Sequence, residues 1–169
     1  MENIKTNSKI KDGIDIFIVV NKIIDNYIKD TEKNFNDDYK LTNLRLQKIL
    51  YFLQGLHYVK FNIPLIEDDL EAWPYGPVSP KVYYYFKSSD REELLTKIPL
   101  NEKKEKELDE EQSVFIDDYL TILKKHSTNS LVDRTHKEDP WKDSYNTPYS
   151  TIQKEDIREF YTNKYNKKT

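Results

Sequence analysis

Nine residues constrain this chain more than any others: Ala72-Trp73-Pro74-Tyr75-Gly76-Pro77-Val78-Ser79-Pro80, with three prolines and one of the chain's three glycines. Proline restricts φ, has no N–H to donate, and pushes the residue before it towards extended geometry. Neither a helix nor a central strand passes through such a stretch, so it must form a rigid turn. Gly76 is the residue expected to take a positive φ, which a tyrosine would hold only with strain. Ser79-Pro80 has the form of an N-cap followed by proline at the first helical position. Upstream, Leu70-Glu71-Ala72-Trp73 reads as a short strand. The expectation is a strand, a locked corner and a helix start in one line of sequence.

The other elements are arranged around that corner. Residues 1–12 are polar and lysine-bearing, a loose lead-in. Ile14, Phe17, Ile18, Ile24 and Ile28, flanked by Val20 and Tyr27, recur at helical spacing and predict a first helix over 13–30. After a polar connection, Thr42 is the N-cap candidate of a second helix. Leu46, Ile49, Leu50, Leu53 and His57 share one face of it, and Leu44, Phe52 and Leu56 widen that face, so this helix should be central. Gly55 inside it costs about 1 kcal/mol of propensity against alanine, which close approach of another backbone would offset. Residues 61–66, the acidic turn Glu67-Asp68-Asp69 and the strand from Leu70 suggest a small antiparallel hairpin. A third helix carries Val82, Tyr83, Tyr85 and Phe86, and a short one is expected over 90–97. Val114, Phe115, Asp118, Leu120, Ile122 and Leu123 mark a fourth. Ser127 or Asn129 caps a fifth that runs through Leu131 to about His136 and is broken at Asp139-Pro140. Ile157, Phe160 and Tyr161 mark the last, ahead of a frayed tail over 166–169. The fold class is mainly α with some β: five to seven helices and a small hairpin, in one domain over 13–165.

Composition narrows the chemistry. Apolar residues make up 37% and charged residues 34%, so thirteen tyrosines, seven phenylalanines and two tryptophans must supply much of the core. The net charge of −3 comes without a face-sized basic block, so the electrostatic footprint of a nucleic-acid binder is missing. The absence of cysteine excludes disulfides, thiolate metal sites and cysteine nucleophiles. The longest apolar run, 16–20, is too short to span a bilayer, and residues 1–5 do not lead into a signal core. A cytoplasmic location is expected.

Three histidines remain as candidate chemistry. His57 lies on the apolar face of the second helix, where a hydrogen-bonded core histidine is the plain reading. His136, with Asp133 and Glu138 near it, has the donor types of a metal ligand or a general base. The spacing matches no zinc motif, and packing of His136 and Trp141 at a helix end is the favoured alternative. The cluster Glu67, Asp68, Asp69 and Glu71 lacks the alternating ligands and glycine of a calcium loop and reads as solvated. No phosphate-binding glycine loop or nucleophile elbow is present. No catalytic residue, cofactor or metal is assigned. In Tyr83-Tyr84-Tyr85 the three rings cannot share one direction, so at least one faces water, as at many protein interfaces.

Three ordered blocks carry a family resemblance. Leu41-Thr42-Asn43-Leu44-Arg45-Leu46-Gln47-Lys48-Ile49-Leu50-Tyr51-Phe52 resembles the L-T-x-L-K-L-Q-K-L-L-Y-Y signature of Panacea-domain proteins, the group of SocA-like antitoxins and phage-associated proteins. The corner from Glu71 to Val78 is similar to that family's A-W-x-Y-G-P-V. The stretch 131–141 is similar to its L-x-x-x-T-H-x-x-x-P-W, and Ile157 with Phe160-Tyr161 fits its closing helix. Arg45, where lysine is common, is a departure. The resemblance implies a mainly helical, non-enzymatic fold that neutralises a cognate toxin by direct contact, or in one branch hands it to a cytosolic protease as an adaptor. On this reading Thr42, Gln47, Lys48, Trp73, Pro74, Gly76, Pro77, His136 and Trp141 are architectural, with Gln47 and Lys48 on the more polar side of their helix. Tyr75, Tyr83 and Tyr84 are the candidate partner-binding residues. The rivals are a phage-encoded protein that binds and regulates a host protein, and a metal-dependent enzyme centred on His136.

Overall fold

The computed structural model describes residues 12–30, 36–89, 92–101 and 107–166. Most of the lead-in, part of the charged tract at 101–111 and the last three residues of the tail lie outside the described residues. Among the described residues, seven α-helices surround or contain the core: α1 (Ile16–Lys29), α2 (Asn43–Phe61), α3 (Pro80–Tyr85), α4 (Glu110–Leu123), α5 (Thr128–His136), α6 (Asp139–Ser144) and α7 (Lys154–Asn166). One turn of 3-10 helix follows α3 at Lys87–Ser89. Three short strands, β1 (Leu70–Trp73), β2 (Gly76–Val78) and β3 (Thr151–Ile152), form an antiparallel sheet in the order β2-β1-β3.

Helix α2 is the centre. Thr42 caps it by accepting from the Arg45 N–H, and Asn62 ends it in the left-handed region. Every residue from Arg45 to Tyr58 is buried, so over that span the helix has no solvent face, as its apolar breadth predicted, whereas Leu44, expected to widen the apolar face, is exposed at its start. It packs against α3, α4, α5, α7 and β2. At Gly55 the neighbour is the Tyr161 ring of α7, not a backbone: an added Cβ would lie 2.5 Å from two of its ring carbons. His57 is a core histidine. Its Nδ1 lies 2.7 Å from the Ile63 carbonyl, which can only accept, so Nδ1 holds the proton and Nε2 faces the Gln112 amide at 3.3 Å. Burial pushes this imidazole down to about 4, which keeps it neutral.

Other expectations change as well. The first helix begins at Ile16 on an Asp15 cap, and its buried face is Ile16, Val19, Val20, Ile23, Ile24 and Tyr27, leaving Ile28 exposed. Gly13, with φ +85°, precedes it against the backbone of Ile66. The strand before the corner does not pair with 61–66. There α2 runs on to Phe61, and Gln54 takes the N–H groups of Leu65 (2.8 Å) and Ile66 (3.0 Å) and donates to the Ile66 carbonyl (3.2 Å). A glutamine side chain thus occupies the groups a strand partner would need. The hairpin instead turns through the corner itself, pairing Trp73 with Gly76 and Glu71 with Val78, while β3 lies on the other edge of β1.

Residues 92–97 of the expected short helix are not helical. Leu94 donates its N–H to Leu41 at 2.7 Å, a long-range bond that a helix would not allow. Pro140 does more than end α5: it sits in the first turn of α6, where its missing N–H leaves nothing unsatisfied. Ser127 is the cap of α5, and Asp109 with Gln112 forms a capping box for α4.

Candidate partner-binding face at the aromatic corner

The corner is held from beneath by its backbone carbonyls. Trp141 Nε1 donates to the Trp73 carbonyl at 2.8 Å, His136 Nε2 to Pro74 at 3.1 Å and Lys48 Nζ to Pro77 at 2.7 Å. Prolines at 74 and 77 leave the turn poor in N–H donors, so the protein secures it through acceptors instead. Gln47 Oε1 takes the Ser79 N–H at 2.8 Å, and its amide donates to Asn43 Oδ1 at 3.0 Å. Asn43 in turn donates to the Tyr83 carbonyl at 3.1 Å, and Ser79 caps α3. The first turns of α2 therefore set both the corner and the helix that leaves it. Gln47 and Lys48 thus tie the corner from buried positions, not from a polar side of α2.

Gly76 is indispensable to this arrangement for two reasons. Its φ is +108°, and a Cβ there would lie 2.6 Å from Thr135 Oγ1 and 2.9 Å from Lys48 Nζ. Burial pushes the Lys48 ammonium down to about 7, so a proton on it is held far more weakly than on an exposed lysine. The His136 ring lies against Trp141 at 4.3 Å between centroids, tilted by 32°, and Trp141 stacks on Tyr145 at 4.6 Å. Glu138, the carboxylate beside His136 in sequence, faces other partners: Tyr51 donates to its Oε1 at 2.8 Å and Tyr161 at 2.6 Å, with Lys164 at 3.4 Å from Oε2. Burial first, and Glu138 as well, pushes both phenols up, so they stay protonated as donors. His136 and Glu138 are thus engaged apart, and among the described residues no three acidic or histidine side chains gather as metal ligands.

The outer side of the corner is aromatic and open. Tyr75 is 69% exposed, Tyr84 60% and Tyr149 55%, while Trp73 and Tyr83 are half-buried. The Trp73 ring meets Tyr83, Tyr149 and Tyr84 at 4.9, 5.4 and 6.3 Å, all edge-to-face. Tyr75 joins Trp73 and Tyr83 along a groove of about 900 Å³ that reaches Leu44 at the start of α2. The structure brings Tyr75, Tyr83 and Tyr84 onto one side with Trp73, and adds Tyr149. That residue comes from the loop before β3, where it holds a φ of +66° and donates its N–H to Ala72 at 2.7 Å. Nothing in the sequence around Tyr149 points to the corner; its place depends on β3 pairing with β1.

Arg45 has a role that the sequence reading does not assign. Arg45 is fully buried and donates to Tyr27 Oη, the carbonyls of Asp38 and Leu123, and Thr128 Oγ1, joining α1, α2, α4 and α5. Its position inside a run of otherwise core residues was the available signal. Among the described residues, no helix is long and apolar enough to cross a membrane.

Comparison with known proteins bears on this site directly. The family described as "Antitoxin SocA-like, Panacea domain" matches residues 46–142, a span that runs from α2 through the corner to Trp141 in α6. Antitoxin SocA of Caulobacter vibrioides (strain NA1000 / CB15N) is 44% identical over 52 residues, 31% of this chain. The match covers 28% of that relative's length. No solved structure matches the chain. With its match extending over more than half of the sequence and over every residue that holds the corner from Gln47 to Trp141, the chain belongs to the SocA-like antitoxin family and carries its Panacea domain.

Proposed function

We propose that this protein is an antitoxin that neutralises a partner toxin by direct protein–protein binding in the cytoplasm, without catalysis, and that residues 13–165 form the unit that does so. The observation that carries this reading is the division at the corner. Buried Lys48, Gln47 and Trp141, with half-buried His136, are spent on fixing the corner's backbone, while Tyr75, Tyr84 and Tyr149 stand exposed around it. Large rings held in place bind with little loss of side-chain freedom, which is why they dominate protein interfaces. Membership of an antitoxin family supports the same reading. Glu138 Oε1 is taken up by two buried tyrosine hydroxyls and His136 Nε2 by the Pro74 carbonyl, which speaks against a shared metal or general-base role.

Co-expression with the product of the adjacent gene, scored by growth and co-purification, tests it. Rescue of growth together with a stable complex is the expected result. Rescue without a complex would replace direct neutralisation by delivery of the toxin to a protease. A harmless neighbour would move the reading to a phage-encoded protein that regulates a host protein.

A further inference from the structure

The groove beside the aromatic corner has a charge of its own. Its apolar floor is formed by Leu44, Trp73, Tyr75, Val78 and Tyr83. Its rim, from the turn before α2 and the segment after α3, carries Asp37, Asp38, Glu92 and Glu93, and among the described residues that line it Lys40 is the one cation. Lys40 is already paired with Asp37 at 3.1 Å, and among the described residues Asp38, Glu92 and Glu93 have no ion pair. Buried Arg45, which donates to the Asp38 carbonyl, offsets one further charge and leaves the rim net negative. All four carboxylates are exposed, so they meet an arriving partner directly.

We infer that this groove receives a cationic segment of the partner protein, in which lysine or arginine flanks an apolar or aromatic anchor. The inference deepens the antitoxin reading and rests on it for the partner's biological identity, though the groove's chemistry can be tested without the toxin. The anchor covers Trp73 and Leu44, and the flanking cations reach the rim carboxylates or lie over the exposed tyrosine rings. Arginine suits both contacts, since its planar group pairs with a carboxylate through two N–H donors and also stacks on rings. The rim charges come from two separate stretches, tied together where Leu94 donates its N–H to Leu41, which fits a segment carrying more than one cation better than a single point charge.

The test is selection of short random displayed peptides on the full-length protein. It is run in parallel on Asp37→Lys/Glu92→Lys/Glu93→Lys and on a control with the same charge change elsewhere, Asp118→Lys/Asp156→Lys/Glu159→Lys. Enrichment of Lys/Arg-flanked apolar peptides is expected on the wild type and the control. On the groove variant, binding of the selected peptides should fall about tenfold, since each exposed charge pair is worth a few-fold, and it should weaken with salt. Acidic or neutral peptides, no enrichment, or unchanged binding to the groove variant would overturn the inference. So would a concentration-dependent dimer that the groove variant abolishes, because a second copy would then fill the groove. Neutralisation of the neighbouring toxin that survives the groove variant would overturn the groove assignment and leave the antitoxin reading standing. Cationic selection beside a harmless neighbour would do the reverse.

Discussion

Glu138 lies in the core with two tyrosine hydroxyls on one of its oxygens, an arrangement in which removing the acceptor costs more than removing a donor. Tyr161→Phe takes away one donor and is expected to lower stability by about 1 kcal/mol. Glu138→Ala leaves the hydroxyls of Tyr51 and Tyr161 without their acceptor and is expected to cost about 3 kcal/mol. Urea unfolding should rank the two in that order; equal losses would mean that water replaces the carboxylate. Lys48 adds a pH dependence. Its folded value of about 7 lies below the ordinary 10.5, so between those limits the unfolded chain holds a proton that the folded chain has released. Stability from this group therefore rises with pH across that window, by up to about 1.4 kcal/mol per unit, and is flat below it. Lys48→Met should remove the slope between pH 7 and pH 9, whatever it does to the absolute level through the lost bond to Pro77, as urea midpoints at the two pH values would show.

At the level of elements, the start of each helix is a local event. Thr42, Ser79 and Ser127 each accept from an N–H three residues on, so their roles could be read from adjacent residues. The same holds for Gly76, whose neighbours Tyr75 and Pro77 leave it the only residue of that turn free to take a positive φ. Gly76→Ala should destabilise by about 2 kcal/mol and lower the thermal midpoint by about 6 °C, because its Cβ would press on Thr135 and Lys48 as well as strain the backbone. A midpoint within a degree of the wild type would show that the corner relaxes freely. Strand pairing, by contrast, was not legible. β1 had an acidic turn and an apolar stretch before it, the pattern of a hairpin, yet Gln54 from α2 claims that stretch and β3 arrives from nearly eighty residues downstream.

On the scale of the whole molecule, α2 passes through the interior and distributes its side chains to nearly every other element. Leu and Ile serve the core, Arg45 the junction of α1, α4 and α5, and Gln47 and Lys48 the corner. The exposed rings on the far side of the corner are then free to act without supporting the fold. Tyr75→Ala and Tyr84→Ala should leave stability within about 0.5 kcal/mol and, on the proposed reading, weaken binding to the partner toxin about tenfold or more. Circular dichroism melts and a co-purification titration separate the two effects. A folded double variant that still neutralises would place the interface elsewhere.

What the sequence determined by itself is the local geometry and the sidedness. It marked the helix caps, the proline-locked corner with its one permissive glycine, the central helix apolar on nearly all sides, and the family signature that spans them. These follow from contacts between residues a few positions apart, or from composition along one helix. Only the tertiary structure decided that Gln54 would replace a strand partner, that Tyr161 would close on Gly55, and that Tyr149 would join Trp73. It likewise gave Glu138 to two tyrosines and not to His136. Each of these joins residues from 11 to 106 positions apart through side chains whose reach no spacing rule anticipates.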